Sequence, residues 1–203
     1  MTAMRRVALR TGVTLNVAEA GDPGAPAVIL LHGFPESHRT WREMIPRLED
    51  LHLIMPDQRG FAGSDLPQDK SAYKTDTLVD DVFALADALD VERFALVGHD
   101  WGGAIAWAFA LYHPDYVDKL VVINAPHPAL FDRELKENPA QQFASAYMLM
   151  LRGPNAEATM SADDFKPLLQ SVLGGEKDLP SYAADRTAYL RNWRMPGGLV
   201  GAR

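Results

Sequence analysis

Apolar and polar residues alternate at the start of the chain, from Arg6 to Arg10 and again from Val13 to Glu19, with Thr11-Gly12 between them. A period of two on both sides of a turn signal predicts a hairpin with one half-buried face. Ala27-Val28-Ile29-Leu30-Leu31 is a continuous apolar run, the pattern of a strand covered on both sides. Arg39 to Leu48 has helical spacing, with Trp41, Met44, Ile45 and Leu48 on one stripe, and Leu51 to Met55 returns to strand. Thr77 to Leu89 predicts an amphipathic helix, with Leu78, Val82, Leu85 and Leu89 on one face and Asp80, Asp81 and Asp87 off it. Strand Phe94 to Val97, helix Gly102 to Tyr112 and strand Lys119 to Ile123 follow. This βαβαβα rhythm predicts an α/β fold with a mostly parallel sheet flanked by helices.

The rhythm stops at Pro126-His127-Pro128. Beyond it the pattern predicts helices over Phe131 to Leu151, Ser161 to Leu173 and Tyr182 to Trp193, separated by Gly153-Pro154, Gly174-Gly175 and Pro180. The expected organisation is therefore a core over residues 1–128 and an inserted helical cap or lid over residues 129–203.

Composition narrows the function. The chain has 203 residues and is 47% hydrophobic, enough apolar material for a sizeable core. Its 20 Lys+Arg against 27 Asp+Glu give a net charge of −7, and with no basic block this argues against nucleic acid or an anionic membrane as partner. No apolar run approaches the ~20 residues of a membrane span, and zero cysteines remove disulfides and thiolate chemistry. A cytoplasmic setting is expected; the sequence carries no signal for an oligomeric state.

The chemistry concentrates at Gly98-His99-Asp100-Trp101-Gly102-Gly103, between a strand and an Ala-rich helix. Strand, tight turn and helix with glycines two residues either side of a reactive residue make a nucleophile elbow, here with Asp100 as the nucleophile. Leu30-Leu31-His32-Gly33-Phe34-Pro35 lies at the C-terminal end of another strand, where open α/β sheets place their ligands. In this arrangement the backbone N–H groups of Phe34 and Trp101 form an oxyanion hole. His32, Gly33, Pro35 and His99 are expected to shape the loop or the substrate pocket, and Asp57 to Asp65 is read as a scaffolding turn.

Those three motifs in this order, with Trp41-Arg42 and Asn124-Ala125-Pro126, resemble the epoxide hydrolase branch of the α/β-hydrolase fold over roughly the whole chain. A carboxylate nucleophile fits independently: it is a poor acyl-transfer group but opens strained or activated C–X carbons, leaving a hydrolysable ester. The resemblance implies a small-molecule epoxide or other alkylating substrate, no metal and no organic cofactor. It also implies a tyrosine hydrogen-bonded to the opening oxygen, a role carried to Tyr147 in Tyr147-Met148-Leu149-Met150-Leu151-Arg152-Gly153-Pro154.

In this fold the nucleophile is followed by an acid and then a histidine after the last strand. The six histidines are His32, His38, His52, His99, His113 and His127, so the resemblance places the acid, the histidine and a second tyrosine after Arg203 and makes the chain a truncated one. Two alternatives stand beside the epoxide reading. One is a haloalkane or haloacid dehalogenase using the same aspartate, against which Phe34 and Trp101 speak where such enzymes often carry Asn or Arg. The other is an inactive fragment or complementation partner. For Asp100 itself the competing reading is a helix N-cap.

Overall fold

The computed structural model describes residues 2–175, 177–199 and 201; Met1, Glu176, Val200, Ala202 and Arg203, including the last residues of the expected cap, lie outside the described residues. Six strands form one sheet in the order β1-β2-β4-β3-β5-β6. β1 (Ala3–Ala8) and β2 (Thr14–Ala20) make the expected hairpin around Gly12, whose φ of +84° suits only glycine without strain. β2 also runs antiparallel to β4 (His52–Asp57). From β4 onward, β3 (Ala27–Leu31), β5 (Phe94–His99) and β6 (Val117–Ile123) pair in parallel.

The continuous apolar run of β3 divides between the two faces of the sheet. Ile29 and Leu31 join Leu78, Val82 and Leu85 of α1 (Thr75–Ala88) and Ile105 and Phe109 of α2 (Trp101–Tyr112). Val28 and Leu30 point the other way, onto Trp41, Leu53 and Met55. Fully burying each such side chain stabilises the fold by about 1.5–3 kcal/mol, so a polar substitution on either face of β3 is costly. β6 is an edge strand with β5 as its partner among the described residues, and Val121 on it is 47% exposed.

Two helical expectations need correction. Residues 39–48 do not form one helix; they form two 3-10 turns, His38–Trp41 and Ile45–Arg47, in which Trp41 is buried and Met44 is exposed. Pro46 sits in the second turn and has no N–H to extend a longer ladder. The predicted helix 131–151 is three helices, α3 (Pro128–Glu137), α4 (Pro139–Ala144) and α5 (Tyr147–Arg152). Asn138 ends the first and caps the second, its side chain accepting from the N–H groups of Ala140 and Gln141, and Pro139 takes the first helical position.

Next, α6 spans Ala156–Leu173, earlier in its start than the pattern predicts, and is interrupted where Asp163, Asp164 and Phe165 take positive φ. Its helical geometry resumes just before Pro167, which thus falls in a first turn where proline is tolerated. Finally α7 covers Tyr182–Trp193, as the spacing predicts.

The helical segment has its own apolar cluster, including Met160, Phe165, Leu168, Leu173, Tyr189, Leu190 and Trp193, and Phe34 from the sheet side packs against it. Polar contacts tie α7 to the loop after β3. Asp185, fully buried, is ion-paired with Arg39 at 2.5 Å and with Arg42 at 2.7 Å, while the Arg42 Nε–H donates to Ser181 Oγ at 2.9 Å. The buried Trp193 Nε1–H donates to Pro35 O at 2.8 Å.

Candidate active site

Three neighbouring strand ends build the site, as adjacent parallel strands β4, β3 and β5 bring the loops that follow them to one edge. At the end of β5, Asp100 has φ +51° and ψ −116°. A non-glycine residue there carries roughly 1–3 kcal/mol of strain, which the surroundings must hold. They do so through Asp100 N–H to Ile123 O at 3.0 Å and Ala104 N–H to Asp100 O at 3.1 Å. Close packing helps: a Cβ on Gly98 would lie 2.3 Å from Gly102 O, and one on Gly102 would lie 2.3 Å from Leu31 O.

Asp100 occupies the N-cap position of α2, but its side chain makes no capping bond to the helix. Its Oδ1 instead accepts the N–H of Phe34 at 3.0 Å. Trp101 follows as the first residue of α2, its side chain 36% exposed.

Gly33 closes the other side. A Cβ on it would come within 2.7 Å of Asp100 Cβ, 2.9 Å of Oδ1 and 3.1 Å of His99 Nδ1, so the loop approaches the carboxylate only because residue 33 has no side chain. His32 is fully buried beneath the loop. Its Nδ1–H donates to Gly33 O at 2.8 Å and Nε2 accepts from Gln58 N–H at 3.0 Å, a neutral tautomer whose pKa burial pushes down. His32 thus lies off the cavity wall and ties the loop to the end of β4. There Asp57 accepts from both His38 N–H and His38 Nδ1 and from Asn16 Nδ2. Burial raises the Asp57 carboxyl, and the His38 bonds more than offset this, leaving it below its ordinary range.

His99 is not among the described residues that line the cavity. Its Nδ1 lies 3.0 Å from Glu36 Oε2, and the bond to Glu36 holds its pKa above the ordinary 6.5 against partial burial. Glu36 Oε2 also accepts the Gly33 N–H at 3.0 Å. Burial raises the Glu36 carboxyl, but its bonds to His99 and Thr40 leave it lowered overall. Sequence reasoning missed this carboxylate. Its signal, a charged residue next to Pro35, does not point to a histidine 63 residues away.

A cavity of about 590 Å³ opens above the carboxylate, lined by Asp100, Phe34, Pro35, Trp101 and Tyr147. The structure therefore brings together the predicted nucleophile, loop and tyrosine, and leaves His32 and His99 behind them. Lining residues without a sequence signal include Lys70, Tyr73, Arg152, Leu168 and Ser171. Burial, and then the Asp100 charge, push the Tyr147 phenol up, which keeps its proton in place as a donor. Burial pushes Tyr73 up to about 12, and its hydroxyl donates to Pro67 O at 2.8 Å. Among the described residues no group of three or more His, Cys, Asp or Glu could hold a metal ion, and no helix is long and apolar enough to cross a membrane.

Residues 26–190 match the alpha/beta hydrolase fold family. The AB hydrolase superfamily protein YfhM of Bacillus subtilis is 38% identical over 93% of this chain and 67% of its own length. Epoxide hydrolase 4 of mouse is 36% identical over 94% of this chain. The chain spans 55% of that mouse protein and 46% of epoxide hydrolase 3 of Xenopus tropicalis. Among solved structures, an epoxide hydrolase of the α/β-hydrolase superfamily from hot-environment metagenomes superposes with a TM-score of 0.87 at 40% identity, covering 100% of this chain and 68% of the other. An inhibitor complex of the Bacillus megaterium epoxide hydrolase gives 0.86 at 32% identity, over 98% and 71%. The mostly parallel six-stranded sheet agrees with these matches: the chain belongs to the α/β-hydrolase fold family, as an epoxide hydrolase-like member.

Proposed function

We propose that this chain opens epoxides through Asp100, with residues 1–128 as the core and the helices from 129 onward as a cap over the reacting centre. The observation that carries this reading is the Asp100 carboxylate: it is held in a strained elbow, free of any capping bond, and shares one cavity with the Tyr147 phenol. An Asp100 oxygen attacks the less hindered epoxide carbon, the C–O bond breaks, and Tyr147 donates its proton to the departing oxygen. The product is an aspartyl ester bearing a new alcohol. Water then adds at the ester carbonyl, the oxyanion is held by the N–H groups of Phe34 and Trp101, and collapse breaks the ester C–O bond, releasing the diol and the Asp100 carboxylate while the proton left over from the water returns to the Tyr147 phenolate.

The setting is cytoplasmic, the substrate a small molecule, and neither metal nor organic cofactor takes part. A halide-releasing reaction has less support, because positions 34 and 101 carry Phe and Trp and add no Asn or Arg donor beside the carboxylate.

The test is incubation with styrene oxide, followed by intact-mass and diol analysis of the same sample. Expected is either a stoichiometric adduct mapping to Asp100 or steady diol formation, both lost in Asp100→Asn. Neither signal on a sample shown to be folded by circular dichroism, or an adduct that persists in Asp100→Asn, would overturn the proposal. Halide release from a matched alkyl halide faster than diol formation would transfer it to the dehalogenase reading.

A further inference from the structure

Ser181, which precedes α7, and Asp185, Tyr189 and Trp193 within it are spaced four apart, so they share one row of the helix with about 6 Å of rise between neighbours. Each of them meets the loop after β3, and the two chains run in opposite directions. Ser181 accepts from Arg42, Asp185 is paired with Arg39 and Arg42, the Tyr189 hydroxyl is buried against the Ser37 and Thr40 side chains, and Trp193 donates to Pro35 O. Asp185 is the charged member of the row and is fully buried, with the Arg39 Nε–H donating to its Oδ1 at 2.6 Å and Arg42 Nε lying 2.7 Å from its Oδ2. Ring opening by Asp100 makes no use of this charge. A packed apolar residue would hold the two surfaces together without the desolvation cost; a buried carboxylate between two guanidiniums adds a fixed register. The loop is tied to the end of β4 at His32, through Gln58, and at His38, through Asp57. Between those ties, Phe34 packs on the cap cluster and Pro35 O takes the Trp193 bond.

We propose that Asp185 is a positioning residue for ring opening: by clamping α7 onto Arg39 and Arg42 it sets the place of Trp193, and through the Pro35 carbonyl it keeps the Phe34 N–H on the Asp100 oxygen. This rests on the reading of Asp100 as the nucleophile. The helix carries the constraint over the two turns from Asp185 to Trp193, about 12 Å, because its hydrogen-bonded ladder does not stretch. The Phe34 N–H holds Oδ1 at 3.0 Å and so leaves Oδ2 to attack the epoxide carbon. A displacement of about 1 Å turns the carboxylate off the line of attack and costs up to about a hundredfold in rate. Asp185→Asn keeps the shape of the side chain, removes its charge and sets an amide N–H group against guanidinium donors. Two cations aimed at one point then repel, Arg39 turns into water from its half-buried position, and α7 loses its anchor.

The readout is the rate constant of ring opening at saturating styrene oxide, with aspartyl ester and diol counted together and divided by the folded fraction from circular dichroism. The half-saturating concentration is measured beside it. Asp185→Asn is expected to slow opening about tenfold. It leaves half-saturation unchanged, because among the described residues Asp185, Arg39 and Arg42 do not line the cavity. In a Trp193→Phe background the same substitution adds no further slowing, since Asp185 acts through that indole. Asp132→Asn, which breaks the exposed Asp132–Lys136 pair on α3, keeps the wild-type rate. Should Asp185→Asn fail to fold, Arg39→Met takes its place in both backgrounds: it leaves Asp185 paired with Arg42 and is expected to slow opening about threefold. A wild-type rate in the folded variant, a raised half-saturation at an unchanged rate, or slowings that multiply in the double variant would overturn the positioning role and leave the nucleophile standing. No opening by wild type would overturn the nucleophile reading, and the positioning role with it.

Discussion

Replacing Trp193 by Phe tests whether α7 holds the loop that faces Asp100. The indole of Trp193 is 5% exposed and its Nε1–H donates to the carbonyl of Pro35, itself buried, at 2.8 Å. A phenyl ring keeps the stack on Tyr189 at 5.4 Å and the contact with Phe165 at 5.9 Å but cannot donate. An orphaned buried carbonyl costs about 1–3 kcal/mol, and the smaller ring adds about 1 kcal/mol more. For a chain of this size the sum of roughly 2–4 kcal/mol lowers Tm by roughly 5–12 °C.

Trp41 provides the control, because it is buried as deeply, at 3% exposure, and its Nε1 has no hydrogen-bond partner among the described residues. Trp41→Phe removes an unsatisfied donor along with the same ring, so it costs less than Trp193→Phe. Thermal and urea unfolding of both variants, with single-turnover epoxide consumption, make the measurement. Pro35 adjoins Phe34, whose N–H lies 3.0 Å from the Asp100 carboxylate, so the Trp193 variant is also expected to consume epoxide more slowly. Equal stability losses in the two variants, or a Trp193→Phe protein within about 0.5 kcal/mol of wild type and equally fast, would refute the reasoning.

Gly33→Ala puts a methyl group 2.7 Å from Asp100 Cβ, so loop and elbow must separate. The expected result is a loss of about 1–3 kcal/mol by urea unfolding with epoxide consumption slowed at least tenfold; a wild-type rate would contradict the geometry. The Glu36–His99 pair predicts a pH window. His99 is raised above 6.5 in the fold by Glu36 and by the nearby Asp100 charge, so its stabilisation is complete below 6.5 and is lost as pH rises through the raised value. Glu36 is lowered below 4.5, so its share is present above 4.5 and is lost as pH falls through the depressed value. The stability difference between wild type and Glu36→Gln should therefore peak between about pH 4.5 and 6.5; a difference that is flat, or that grows above neutral pH, would show that the pair does not stabilise the fold.

Period and turn chemistry are local properties, and wherever they govern, the chain is legible without its fold. The hairpin about Gly12, the doubly buried run of β3, the amphipathic α1 and the glycine-flanked Asp100 are all written in stretches shorter than about fifteen residues. The same locality explains the misread segments. An apolar stripe from Trp41 to Leu48 has helical spacing whether or not Pro46 permits the ladder, and the run from Phe131 to Leu151 hides the cap that Asn138 makes. The tertiary structure alone decided what closes over the carboxylate: Glu36 on His99 across 63 residues, Arg39 on Asp185 across 146, and Trp193 on Pro35 across 158. It likewise set Lys70 and Arg152 on the wall of one cavity. Each of these contacts joins side chains whose own neighbourhoods carry no trace of the partner, because burial and charge pairing depend on which surfaces meet when the helices pack over the strand ends.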